Sequence, residues 1–141
     1  MIVIDTSVVL AFMDRRDNRH EGVREWMEGV EDELCTTPLV LAELDHLVTR
    51  QGGTSAARAL RDDFKDGAYL LEWWQSALHE TIAAAQLYES MSLSLTDASL
   101  VALAAHLNTT TIATLDERHF RAVRPLTASD VGFTLVPADA A

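Results

Sequence analysis

Four acids stand out among the 141 residues: Asp5, Glu43, Asp97 and Asp116. Carboxylates brought close raise one another's pKa and repel, unless a cation lies between them. Hard oxygen donors without cysteine or clustered histidine suit Mg2+ or Mn2+ rather than Zn2+. A divalent ion held in that way can orient a phosphate, polarise it and make bound water acidic. The chemistry open to these residues is therefore metal-assisted hydrolysis of a phosphate ester.

Taken singly, each acid also has a plainer account. Asp5 follows Ile2-Val3-Ile4, a β-branched run that reads as a central strand, and Asp116 lies just beyond Thr111-Ile112-Ala113-Thr114. Either could simply cap the next helix, the commoner role for a lone aspartate at such a place. Ligands of open parallel sheets bind beyond the carboxyl ends of the strands, so both acids also stand where chemistry is expected. At about 100° per residue, Glu43 shares a helical face with Leu39, Val40 and Leu47. A carboxylate beside an apolar stripe needs a partner, and a buried salt bridge to His46 or an arginine would serve as well as a metal. Asp97 points with Leu100, Val101 and Ala104, and capping by Thr96 or Asp97 would account for one acid there. No lysine or arginine occupies the same faces. The joint pattern favours a shared cation.

The elements that must position these acids alternate. Strands are expected at residues 2–4, 34–37, 69–72, 111–114 and 133–136. Helices are expected at 8–13, 20–30, 38 to about 50, 54–65, 76–91, 97 to near 108, and 117–122. Pro38 suits a first helical turn, and Gln51-Gly52-Gly53 breaks the helix that it opens. Strands alternating with helices imply parallel pairing and an α/β/α sandwich with a central parallel sheet. There is no repeat or linker, so residues 1–137 form one domain, with a short C-terminal tail at 138–141.

The hydrophobic share of 48% and charged share of 23% are those of a soluble globular protein. The single cysteine, Cys35, excludes an internal disulfide and fits a reducing, cytoplasmic setting. Residues 1–11 are apolar but carry Asp5 and no basic leader, so neither a signal peptide nor a membrane span is expected. The net charge of −11 opposes long-range attraction to a polyanion. Basic residues do cluster locally, and Arg15, Arg16, Arg19, Arg118 and Arg121 are as readily solvated surface as phosphate contacts. The five histidines lack zinc spacing, no Gly-rich phosphate loop precedes a helix, and Ser7 has neither base nor elbow nearby. A haloacid-dehalogenase-type phosphatase would need a second aspartate where Ser7 stands. A receiver domain would need an acidic pair and a late lysine, and the only lysine is Lys65.

Four strings carry a family likeness: Ile2-Val3-Ile4-Asp5-Thr6-Ser7, Leu41-Ala42-Glu43-Leu44, Thr96-Asp97-Ala98, and Thr114-Leu115-Asp116-Glu117-Arg118-His119-Phe120. Each is weak alone; their order and spacing over nearly the whole chain are specific. Together they resemble a PIN domain, and in particular the VapC toxins of bacterial toxin–antitoxin pairs. The resemblance implies a PIN-like fold and Mg2+- or Mn2+-dependent endoribonuclease activity on structured RNA, such as tRNA or rRNA, that inhibits translation. It also implies a VapB-like antitoxin and a homodimer. Carried over position by position, Asp5, Glu43, Asp97 and Asp116 become the metal-binding acids. Thr6 or Ser7, and Thr114, become groups that orient carboxylates or substrate oxygens. Trp26, Trp73 or Trp74 could offer apolar surface to an amphipathic antitoxin helix, or lie in the core. Two other readings compete: a non-catalytic PIN-like binding module, and a metal nuclease directed at DNA.

Overall fold

The computed structural model describes residues 1–140. The β-branched N-terminal run forms strand β1 (Ile2–Ile4), whose three residues are all buried, as a strand covered on both faces requires. It is joined by β2 (Leu34–Thr36), β3 (Leu70–Leu71), β4 (Thr111–Ala113) and β5 (Thr134–Val136). All five pair in parallel in the order β3-β2-β1-β4-β5. The chain thus builds outward from β1 on one side, then returns to build outward on the other. The switch falls between β1 and β4, where the helices that follow the strands diverge and leave a crevice at the carboxyl ends.

Helices flank the sheet: α1 (Thr6–Met13), α2 (His20–Gly29), α3 (Pro38–Lys65), α4 (Ala77–Leu87), α5 (Leu95–Leu107) and α6 (Glu117–Ala122). The expected α/β/α sandwich is the one observed. Val3, Ile4, Val8, Leu44, Leu100, Leu103, Ile112, Phe120 and Leu135 fill its core. Among the described residues no helix is long and apolar enough to cross a membrane.

Four local differences from the sequence reading have physical causes. Helix α1 starts at Thr6 rather than residue 8, because the Asp5 carboxylate accepts from Thr6 N at 2.7 Å and caps it immediately. The Gln51-Gly52-Gly53 break becomes a kink within α3, at Gly53 with φ 77°, a conformation that costs glycine little. The helix expected over 76–91 stops at Leu87 and gives way to a single 3-10 turn, Glu89–Met91. Ser90 and Ser92 interrupt what periodicity alone would continue, and Ser92 turns the chain at φ 54°. The cap of α5 is Ser94, not Thr96 or Asp97: its hydroxyl accepts from Asp97 N at 3.1 Å, leaving the Asp97 carboxylate free of capping.

Residues 138–140 return against the end of β5. Asp139 accepts from Leu135 N at 2.8 Å and pairs with both terminal nitrogens of Arg121, at 2.7 and 2.8 Å. Ala141 lies outside the described residues.

Candidate active site

At the carboxyl end of β1, Asp5 N bonds to Ala113 O of β4 at 2.9 Å, so the two strand ends are held side by side. This sets the Asp5 side chain under the turn formed by residues 114–116. Asp5 is only 5% exposed, and its carboxylate accepts three hydrogen bonds, which leaves one lone pair on Oδ1. Oδ1 accepts from Thr6 N, while Oδ2 accepts from Ser7 Oγ at 2.9 Å and Thr114 Oγ1 at 2.8 Å. Both hydroxyls are oriented by the backbone. Leu115 N donates to Ser7 Oγ and Asp116 N donates to Thr114 Oγ1, each at 2.9 Å, which turns the hydroxyl protons toward Asp5. Burial nonetheless pushes the Asp5 carboxyl above its usual range, against the three hydrogen bonds that favour the anion.

Asp97 stands in the first turn of α5, held there by the Ser94 cap. Burial, then the charges of Asp5 and Asp116, with a smaller push from Glu43, drive its carboxyl up to about 6; His119 offsets part of this. Asp116 occupies the N-cap of α6 and accepts from His119 N at 3.4 Å. Asp5 and Asp116 do cap the helices that follow them, and each also lines the cavity that the four acids share.

Glu43 reaches the same place from α3, whose first turn is fixed by Pro38 and by the Thr37 cap, itself bonded to Ser99 of α5 at 2.8 Å. Glu43 is exposed, on the rim rather than beneath an apolar face. The expected alternative of a buried salt bridge does not occur: among the described residues its side chain has no ion pair or hydrogen bond, with His46 or otherwise. Leu44, next along, takes the buried position instead.

The four acids line one open cavity of about 350 Å3, together with Thr6, Ser7 and His119. None of the three tryptophans lines it. Trp26 and Trp74 pack against the core, and Trp73 is 40% exposed. Sequence reasoning missed His119. Its Nδ1 sits 3.0 Å from Asp116 Oδ2 and 3.6 Å from Asp97 Oδ2. The available signal was its place three residues after Asp116, a spacing that puts two side chains on one helix face.

Donor chemistry and unpaired atoms both fit a divalent cation. Carboxylates crowd one cavity with no lysine or arginine among them. Buried polar atoms are almost always partnered, yet Thr6 Oγ1 and His119 Nδ1 are buried there without a hydrogen bond. Ligand atoms of Asp97, Asp116 and His119 lie within 4.8 Å of one another.

The PIN domain family matches residues 2–125. The chain belongs to the PIN-domain family. This PIN domain is 34% identical over 137 residues to ribonuclease VapC26 of Mycobacterium tuberculosis, spanning 96% of the chain and all of that relative. It thus belongs among the VapC ribonucleases. Solved structures show the same fold. VapC20 of M. tuberculosis, described as a sarcin–ricin loop cleaving toxin, superposes with a TM-score of 0.76 at 20% identity, over 82% of this PIN domain and 90% of that chain. FitAcB of Neisseria gonorrhoeae gives 0.63 at 18% identity, over 96% of each chain. VapBC2 of Rickettsia felis, bound to a promoter DNA fragment, gives 0.67 at 14% identity, over 96% of this chain and 97% of that one.

Proposed function

We propose that this PIN domain is a VapC-type toxin, a Mg2+- or Mn2+-dependent endoribonuclease that hydrolyses phosphodiester bonds in structured RNA, tRNA or rRNA, and so inhibits translation. The observation that carries the reading is Asp97. Burial and three neighbouring acids drive its carboxyl up to about 6 in an open cavity, and a divalent cation beside it would relieve that repulsion.

Asp5, Glu43, Asp97 and Asp116 would hold that cation, which when bound polarises the scissile phosphate and makes water acidic. The protein's own residues do the remaining work. Ser7 and Thr114 lock Asp5 as an acceptor, so one oxygen cluster stays fixed while substrate comes and goes. Thr6 Oγ1, buried and unpaired at the cavity wall, is free to donate to a substrate oxygen. Asp116, whose side chain is 39% exposed, has the solvent access needed to take a proton from attacking water. Attack by water needs no ribose 2′-hydroxyl, so the products carry 5′-phosphate and 3′-hydroxyl ends.

A cognate VapB-like antitoxin is the partner in this reading. The acid cavity suits a capping arginine, and Leu10 joins it to a hollow of about 160 Å3 between α1 and α3, with Met13, Val48 and Ala56 for apolar contacts and Asp14, Arg16 and Gln51 for polar ones. That hollow, rather than the tryptophans, can receive an amphipathic segment. The uncovered Leu78, Ile82 and Leu87 of α4 support a homodimer, and a buried free Cys35 supports a cytoplasmic setting.

Mapping RNA 5′ ends in cells after brief expression tests the reading. New 5′-phosphate ends at discrete sites in tRNA or rRNA, absent with Asp5→Asn, are expected. Ends bearing 2′,3′-cyclic phosphate, or undiminished cutting by Asp5→Asn, would overturn it.

A further inference from the structure

We infer that His119 supplies Nδ1 as a nitrogen ligand to the cation held between Asp97 and Asp116, so that this end of the site is a mixed nitrogen and oxygen centre that selects Mn2+ over Mg2+. The inference rests on the reading that the acids hold metal, and goes beyond it in naming a fifth donor and its consequence.

Geometry is the first support. Neighbouring ligand atoms of an octahedral ion with bonds near 2.1 Å are about 3 Å apart. Nδ1 lies 3.0 Å from Asp116 Oδ2, the spacing of adjacent corners around one ion, and 3.6 Å from Asp97 Oδ2, somewhat wider than that. The second support is the state of the nitrogen. A histidine serving only as a counter-ion would aim an N–H along one of those short contacts. Nδ1 does not: despite its distance from Asp116 it makes no hydrogen bond, although it is buried while the side chain as a whole is 31% exposed. With its ring proton on Nε2, the histidine would leave the unpartnered Nδ1 a lone pair to offer a cation beside the two carboxylates. The third support is linkage to the site. The Asp116 carboxylate accepts from His119 N, so the two side chains leave one helical turn together.

Carboxylate and water oxygens suit Mg2+ and Mn2+ alike, and an added imidazole nitrogen shifts the balance toward the transition metal, for which nitrogen donors are the better match. Losing even a group that merely supports a ligand costs roughly 10- to 100-fold in metal affinity, so loss of the ligand itself costs at least about tenfold.

The decisive measurement is pulsed electron paramagnetic resonance on chelator-stripped protein loaded with Mn2+, alongside Mn2+ and Mg2+ titrations. Wild type should show coupling to a directly bound 14N. His119→Gln should lose that coupling, bind Mn2+ at least about tenfold more weakly, and change little toward Mg2+. Bound Mn2+ without 14N coupling in wild type, or coupling that persists in His119→Gln, overturns the ligand role and leaves the four-acid site standing. Wild type that binds Mn2+ no better than Asp97→Asn overturns the metal reading itself, and this inference with it.

Discussion

Thr114 donates its hydroxyl to Asp5 Oδ2 at 2.8 Å across 109 residues of sequence, and the hydroxyl oxygen in turn accepts from Asp116 N at 2.9 Å. One side chain thus orients the buried acid of β1 and anchors the backbone of the acid that follows β4. Thr114→Val keeps the shape and deletes both bonds. Because it leaves a backbone N–H without its partner, a loss of about 1–3 kcal/mol in urea melts is expected. Mn2+ affinity should fall roughly tenfold or more by calorimetry, and Thr114→Ser should recover most of both. Unchanged affinity in Thr114→Val would show that Asp5 needs no such support.

Asp97 sets the pH response. Its carboxyl is raised in the fold from 3.8 to about 6, so the fold favours the protonated form. That contribution to stability is fully present below the unfolded value and is lost as pH rises through about 6. Metal-free protein should therefore lose stability across this window, and Asp97→Asn should flatten the slope and melt higher at neutral pH. Metal works in the opposite sense: each proton displaced weakens binding by about tenfold per pH unit below the pKa. Thermal melts from about pH 4 to 8, with and without Mn2+, check both; a metal-free slope that is unchanged in Asp97→Asn would contradict the assignment.

Helix α3 carries Glu43 on a frame fixed by Thr37, which caps Val40 N and bonds Ser99. Thr37→Val should cost about 0.5–2 kcal/mol of stability through the lost cap and leave the Ser99 hydroxyl relying on Thr96 O alone. Because the same substitution loosens the helix bearing Glu43, a rise in the metal dissociation constant should accompany it. Chemical denaturation and Mn2+ titration separate the two effects.

The structure also sorts the arginines. Arg121 is bound to Asp139 and Glu117, whereas Arg19 has no ion pair among the described residues. Arg19 lines a cavity of about 360 Å3 with Thr114 and Leu115, beside the acids. As a hypothesis, Arg19 contacts an RNA phosphate there. In the Asp5→Asn background, Arg19→Ala should lower the slope of log affinity against log salt by about 0.7–0.9, the share of one neutralised phosphate. Arg121→Ala should leave that slope unchanged. Equal slopes for the two would remove Arg19 from the RNA path.

The acids were legible because their signals are local. Asp5 and Asp116 each end a β-branched run, and Asp97 opens an apolar helix; these are patterns of a few residues governed by strand burial and helix capping. Glu43 was legible as an acid beside an apolar stripe, but its rim position was not. A stripe of Leu39, Val40 and Leu47 says which face turns inward and not how deep each side chain lies. The kink at Gly53 and the Ser94 cap were missed for a related reason: serine and glycine punctuate helices within a margin of a few residues, and neighbouring packing decides which one acts.

By itself the sequence determined the alternation of strands and helices, hence a parallel sheet, and the four acids with their family. Those follow from short-range propensity and from spacing along the chain. Tertiary structure alone decided that β1 and β4 lie side by side and that Thr114 and Ser7 therefore converge on Asp5. It also decided that His119 turns its Nδ1 toward Asp97 and Asp116, and that Arg121 is engaged while Arg19 is not. Each of these depends on contacts between residues brought together by the fold, and such contacts are set by how whole elements pack rather than by any local preference.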